Sequence, residues 1–481
     1  MRAPECTPTY RRIRCSVAPL LLAALLPLLG IAEIAQALPA ADPKTDLPLG
    51  SDLDEDATAN PREVFHSETL RGHRSYATNL GNLAFNSPNI LGDAARKAHI
   101  SCGTCHVNGA SNAKLFIPGL STHPGNFDTT SGFFNPKADD GVLDPLTIPS
   151  LRGARFLAPY GHDGRIGSLR DFVRNVIVNE FAGAEPSNQI VDAIVVYIED
   201  IDFLPNPNLD QAQRLKAGAS ASQLRGEALF SKPFPHDASM SCAACHMPSA
   251  AFADHRQHDV GTGGFYKTPT LVNANFNAPY LHDGRFTDYG LVIDHFDRQF
   301  ELALSPQDRA DLSAYLTAVG DGTRPEYHLT GNNVLEDIDG YASVLDLAIA
   351  THDSAVVKLA TISVSDMLQD LADHYVDTAQ TPRPSGVADS ANNGASQRAL
   401  ARATLGKLVE ITRQVQRAAD AKRWDQAAAA YFDYRKMTIA TVPQALQAAE
   451  NFSLFNPALR AAQTRGRYAV SGANDILHSS N

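Results

Sequence analysis

The first thing this chain lacks is spare cysteine. Six cysteines occur in 481 residues. Cys6 and Cys15 lie near the start, and the other four sit in two short motifs, Cys102-Gly103-Thr104-Cys105-His106 and Cys242-Ala243-Ala244-Cys245-His246. Beyond Cys15 none is left over, which excludes a disulfide-stapled scaffold for the rest of the chain. Tryptophan is reduced to Trp424. Positive charge is short as well. The formal net charge of −12 argues against nucleic acid as a partner and suits a basic protein instead. Long apolar runs are missing too. The one from Val17 to Ile31, interrupted by Pro19, Pro27 and Gly30, is short for a stable membrane span.

That run follows Arg2, Arg11, Arg12 and Arg14 and precedes Ala35-Gln36-Ala37. Basic residues, an apolar stretch and a small-residue site in this order read as a signal peptide cleaved near Ala37. The chain is therefore expected to be exported.

What is present is one pattern written twice. Cys-x-x-Cys-His is the attachment signal for a c-type haem. On a helix the two thiols and the imidazole share a face, so the thiols reach two vinyl groups while the histidine points at the iron. Zinc would need both cysteine pairs to converge, and a redox dithiol would not need a histidine after each pair. Each motif is followed by a second signature. Pro149-Ser150-Leu151 and Ala158-Pro159-Tyr160-Gly161-His162-Asp163-Gly164-Arg165 follow the first. Pro269-Thr270-Leu271 and Ala278-Pro279-Tyr280-Leu281-His282-Asp283-Gly284-Arg285 follow the second. Such order marks an internal repeat.

The repeat organises the chain: a signal peptide over 1–37, a flexible acidic lead-in over 38–63, and a first haem domain over 64–204. A linker at Leu204-Pro205-Asn206-Pro207-Asn208 then leads to a second haem domain over 209–325. Residues 326–481 are rich in Ala, Leu, Gln and Asp at helical spacing and read as a helical appendage, with an exposed loop at Thr378–Gln397. The fold class expected is mainly α, with two cytochrome c-like domains in tandem. In each His-Asp-Gly-Arg turn, His162, Arg165, His282 and Arg285 are donors suited to haem propionates, and Asp163 and Asp283 are placed to cap the next helix. The helices that follow carry apolar stripes, Leu169, Phe172, Val173, Val176 and Ile177 in the first and Tyr289, Val292, Ile293 and Phe296 in the second.

These residues resemble the bacterial di-haem cytochrome c peroxidases and their MauG-type relatives over roughly residues 66–320. The wording is fullest from Cys242 to Phe296, including Ala251-Phe252-Ala253-Asp254, His258-Asp259-Val260-Gly261 and Thr268-Pro269-Thr270-Leu271. The resemblance implies two covalently bound haem c groups with His106 and His246 on the irons, and a calcium ion between the domains. It implies a periplasmic enzyme that reduces hydrogen peroxide at the first haem, with electrons from a small donor protein (a cytochrome c or cupredoxin) entering through the second. MauG-type members oxidise residues of a partner protein instead, and an electron-transfer cytochrome with no enzymatic role is a third reading.

The chain departs from that family in three places. The residue that usually supplies Met or Tyr to the second iron is Phe296, with His295 beside it as a candidate ligand. The usual tryptophan between the haems is His162. The family's distal His and Glu are matched only nearby, by His123 and Glu180. Glu180, with His123 as second choice, is the expected acid–base group.

Overall fold

The computed structural model describes residues 47–48, 50–53, 61–325, 327–375 and 391–460. The expected signal peptide and its cleavage site, and the tail after residue 460, lie outside the described residues. Among the described residues the chain is mainly helical, with two short antiparallel pairs. In one, β1 (Asn126–Phe127) faces β2 (Leu146–Thr147); in the other, β3 (Gln257–Asp259) faces β4 (Phe265–Lys267), with His258 opposite Tyr266.

The duplication is visible in the packing. In the first half the helix Tyr76–Phe85 crosses the helix Asn188–Asp200. In the second half Ala221–Phe230 crosses Pro306–Val319. Both crossings need glycine, because the backbones meet there. A Cβ on Gly81 would stand 1.9 Å from the Ala193 carbonyl oxygen, and one on Gly226 would stand 2.1 Å from that of Asp311. Beside each crossing an aromatic pair walls the haem motif: Phe85 with Tyr197 and Phe230 with Tyr315, each at 5.1 Å between ring centroids. The two cores differ in size. The first gathers Phe65, Leu115, Ile117, Phe127, Phe134, Ile177 and Phe181, among others, whereas the second is built mainly from Leu209, Phe230, Phe252, Val272, Ile293, Leu312 and Tyr315.

The halves are tied by reciprocal backbone hydrogen bonds at equivalent positions. The Thr147 amide donates to the His282 carbonyl at 2.7 Å, and the Lys267 amide donates to the His162 carbonyl at 2.8 Å. The Asn126 side chain donates to the Asp283 carbonyl at 3.1 Å, and Gln257 donates to that of Asp163. Both Ala158-Pro159 and Ala278-Pro279 are cis.

Among the described residues the appendage is built mainly from helices Gly331–Ala342, Val344–Ala350, Ser354–Asp373, Ala391–Asp420, Trp424–Lys436 and Val442–Ala449. It packs on the first half. Arg62 makes a bidentate pair with Asp337 at 2.7 and 2.6 Å, and Ser363 meets Ser87 at 2.7 Å.

Two expectations need correction. Of the exposed loop expected over Thr378–Gln397, residues 378–390 lie outside the described residues, and from Ala391 onward a 30-residue helix stands in its place. Ala, Gln and Arg at 395–403 extend the helical pattern backward, and good helix formers outweigh the neighbouring Ser and Gly. The lead-in is not uniformly loose. Asp52 pairs with Phe116 through two backbone bonds of 2.7 and 2.8 Å, and Leu47 and Leu53 pack against the first core. Burying these leucines repays the cost of ordering that backbone.

Candidate haem centres

Each motif is one turn of helix, Cys102–Cys105 and Cys242–Cys245. The serine before it starts the turn: the Ser101 amide donates to the Thr104 hydroxyl at 3.1 Å, and Ser241 accepts from the Ala244 amide at 3.0 Å. Each histidine closes it, His106 donating its amide to the Cys102 carbonyl at 2.9 Å and His246 to that of Cys242 at 2.8 Å.

The imidazoles are prepared for a metal. Nδ1 of His106 lies 3.0 Å from the Pro149 carbonyl, and Nδ1 of His246 lies 3.0 Å from that of Phe252. A carbonyl can only accept, so Nδ1 carries the proton and Nε2 keeps its lone pair for iron. Burial pushes His106 down to about 4 and lowers His246 as well, leaving both neutral as ligation requires. Burial also pushes the Cys102 thiol up to about 12 and that of Cys242 up to about 11. Buried thiols of this kind are poor thiolate ligands or redox nucleophiles. The cysteine pairs do not converge on one cluster among the described residues. Thiols on one helical face, a tautomer-fixed imidazole and an aromatic wall fit haem c at both sites.

The helix that follows each turn distinguishes the two sites. In the second half it runs regularly over Tyr289–Gln299, and the Phe300 amide donates to the Phe296 carbonyl. In the first half Leu169–Asn175 continues as a π-turn over Val176–Glu180, and the Phe181 amide reaches back five residues to the Val176 carbonyl. The spacing between matched residues is one shorter for Phe181 and Phe300 than for Tyr160 and Tyr280. The first half therefore holds one extra residue here, absorbed as a π-turn. Such single-residue insertions are frequent at functional sites.

Glu180 ends that π-turn. Its side chain is 12% exposed. One oxygen accepts from Arg165 Nη2 at 3.2 Å and from Asn175 Nδ2 at 3.1 Å. Burial raises its pKa above the ordinary glutamate value, against the opposing pull of Arg165, Thr129 and Asn175. Phe181 stacks with Phe127 at 6.3 Å and packs on Phe134 at 4.9 Å, and Asn135 donates to the Asn179 carbonyl. The 126–135 segment thus shields the π-turn.

The other candidates fall in different surroundings. His123 lies on the seam between the halves, where a Cβ on Gly284 would come within 2.7 Å of it. Its Nε2 lies 3.1 Å from Asn126 Nδ2 and its Nδ1 lies 3.1 Å from the Pro124 carbonyl. Its contacts are therefore not those of Glu180. His162 is buried, with Nε2 2.7 Å from the Thr147 carbonyl, and burial pushes it down to about 4. His282 stacks on Tyr266 at 3.6 Å. Arg165 and Arg285 each pair with the aspartate two residues before them, Asp163 and Asp283, and Arg165 also holds Glu180. His295 has Nε2 2.8 Å from the Val260 carbonyl, so only Nδ1 remains for iron unless that bond breaks. Phe296 stacks on Phe300 at 6.0 Å, and Phe300 packs on Phe234 at 5.0 Å.

Sequence reasoning missed the π-turn, although the one-residue change in repeat spacing signals it. It also missed Lys267. Its ammonium donates to the Leu157 and Pro159 carbonyls at 2.7 and 2.6 Å across the seam, and burial pushes it down to about 8. No local pattern announces a lysine that serves a distant turn.

Fold and sites together define a c-type cytochrome architecture built twice. Residues 222–361 match the family model described as Di-haem cytochrome c peroxidase. The chain is 27% identical to hydrazine synthase subunit gamma of Kuenenia stuttgartiensis over 175 residues, covering 32% of this chain and 46% of that protein. It is 29% identical to methylamine utilization protein MauG of Methylorubrum extorquens over 297 residues, covering 49% of this chain and 76% of that protein. It is 34% identical to cytochrome-c peroxidase IdrP1 of a Pseudomonas strain over 67 residues, covering 12% of this chain and 18% of that protein. The chain thus spans less than half the length of the first of these relatives. Among the described residues, no helix is long and apolar enough to cross a membrane.

Proposed function

We propose that the protein is an exported di-haem peroxidase. It reduces hydrogen peroxide to water at its first site, and a small redox protein, a cytochrome c or cupredoxin, supplies electrons through the second. The observation that carries this reading is Glu180. A sheltered carboxyl of raised pKa stands on an inserted π-turn in one half, and the corresponding helix of the other half ends regularly at Phe300. Haem c, held at the first site by Cys102, Cys105 and His106, would supply the redox-active iron. The Glu180 carboxylate takes a proton from one peroxide oxygen and returns it to the departing oxygen, and Arg165 and Asn175 keep the carboxylate aimed. Two electrons and two further protons complete two waters. The phenylalanines around Phe181 limit bulk water, so the proton returns to the departing oxygen. A calcium ion between the halves belongs to the same reading. The buried Asn277 Oδ1, which has no hydrogen-bond partner, is an oxygen such an ion could take.

Phe296 favours a second reading. Without Met or Tyr at that position the second site is less committed to electron relay, and peroxide-driven oxidation of a partner protein becomes the alternative. Turnover decides between them. Steady consumption of peroxide with a reduced small cytochrome supports the peroxidase. Peroxide consumption that stalls with every reduced cytochrome and cupredoxin supplied contradicts it.

A further inference from the structure

We propose that the Asp254–His258 pair sets the reduction potential of the second haem site. Both residues belong to the family wording near the second motif, and the peroxide chemistry uses neither. Asp254 Oδ2 lies 2.7 Å from His258 Nε2, and the Asp254 side chain is only 8% exposed. The Arg256 amide donates to its other oxygen at 3.1 Å. Burial works against the charge, but the hydrogen bonds from His258, Thr268 and the Arg256 amide prevail and hold the carboxyl below its ordinary value.

The position of this charge gives it a role. The Cys245 sulfur and one ligand atom each of Asp254 and His258 all lie within 4.8 Å of one another. Free, the three would read as a metal cluster. With the Cys245 thiol committed to a thioether bond, what remains is a sheltered carboxylate close to the sulfur that would hold the haem. Among the described residues no second trio of this kind forms, at the first motif or elsewhere. A fixed negative charge in a weakly screened place favours the ferric over the ferrous state. It therefore lowers the potential of the second site alone and biases electrons to leave it. The inference rests on haem c at the second motif and not on peroxide chemistry, so either can fail without the other.

The test is a potentiometric titration of the holoprotein followed by electron paramagnetic resonance, which separates two haems with distinct ferric signals. Asp254→Asn is expected to raise the second potential by about 59 mV, a tenfold change in the ferric-to-ferrous ratio at fixed potential. The first potential should stay in place, and Asp254→Glu should restore the original value. If Asp254→Asn does not accumulate with haem, His258→Leu replaces it. Removing the donor strengthens the field of the carboxylate, and the second potential should fall. An unchanged second potential, an equal shift at both haems, or an equal shift in the Asn and Glu variants would overturn the proposal.

Discussion

Replacing Glu180 by Gln keeps the shape of the side chain and removes its charge and its ability to cycle a proton. The amide oxygen can still accept from Arg165 Nη2 and Asn175 Nδ2, now at 3.2 and 3.1 Å, so the π-turn should persist. General acid–base groups contribute about 10²–10⁴-fold, or roughly 3–5 kcal/mol of barrier. The variant is expected to lose that much of kcat/KM for peroxide, with haem content and the optical spectrum unchanged. A companion deletion of Val178 removes the extra residue and restores a regular helix. One helical residue is a turn of about 100° and a rise of about 1.5 Å, enough to swing the carboxylate off its target. The assay is stopped-flow reaction of each variant with peroxide, followed in the visible bands. A Glu180→Gln variant within threefold of the parent would refute the assignment, and a harmless deletion would refute the role given to the π-turn.

Three further outcomes follow from named contacts. Because burial raises Glu180 above its ordinary value, the ionised base form is lost on acidification sooner than for an exposed glutamate. Peroxide reactivity should therefore climb with pH through that raised pKa, and a pH–rate profile of Glu180→Gln should lack this limb. A methyl on Gly226 meets the Asp311 carbonyl oxygen at 2.1 Å, so Gly226→Ala should lower the thermal midpoint of the holoprotein by an overpacking cost of about 1–3 kcal/mol; an unchanged midpoint contradicts the crossing described. Arg62→Ala removes the charged bidentate bond to Asp337, worth about 2 kcal/mol, and should hasten limited proteolysis of the appendage relative to the haem halves.

What could be read from the sequence depended on how local each feature is. Cys-x-x-Cys-His is local to a single turn of helix, so both motifs could be placed from the sequence and each forms that turn. The apolar stripe from Leu169 to Ile177 reported its own buried face, and Leu169, Val173 and Ile177 are buried in the structure. The repeated signature foretold two halves. It did not foretell their seam, where Lys267 and Thr147 bond turns far away in the chain. His123 shows the same limit: its sequence neighbours say nothing of Gly284, the residue it packs against. At Ala391 local helix propensity overrode the loop suggested by nearby Ser and Gly. Glu180 was found by resemblance, but its reason for being there, one inserted residue, becomes visible only when both helices are laid side by side.

The account centres on two unequal haem sites, with peroxide chemistry at the first. Electron paramagnetic resonance of the purified diferric protein, before and after stoichiometric peroxide, tests it most directly. The account predicts a high-spin ferric signal that peroxide consumes in the parent and far more slowly in Glu180→Gln. Two low-spin haems that ignore peroxide, even after prior reduction, would contradict it.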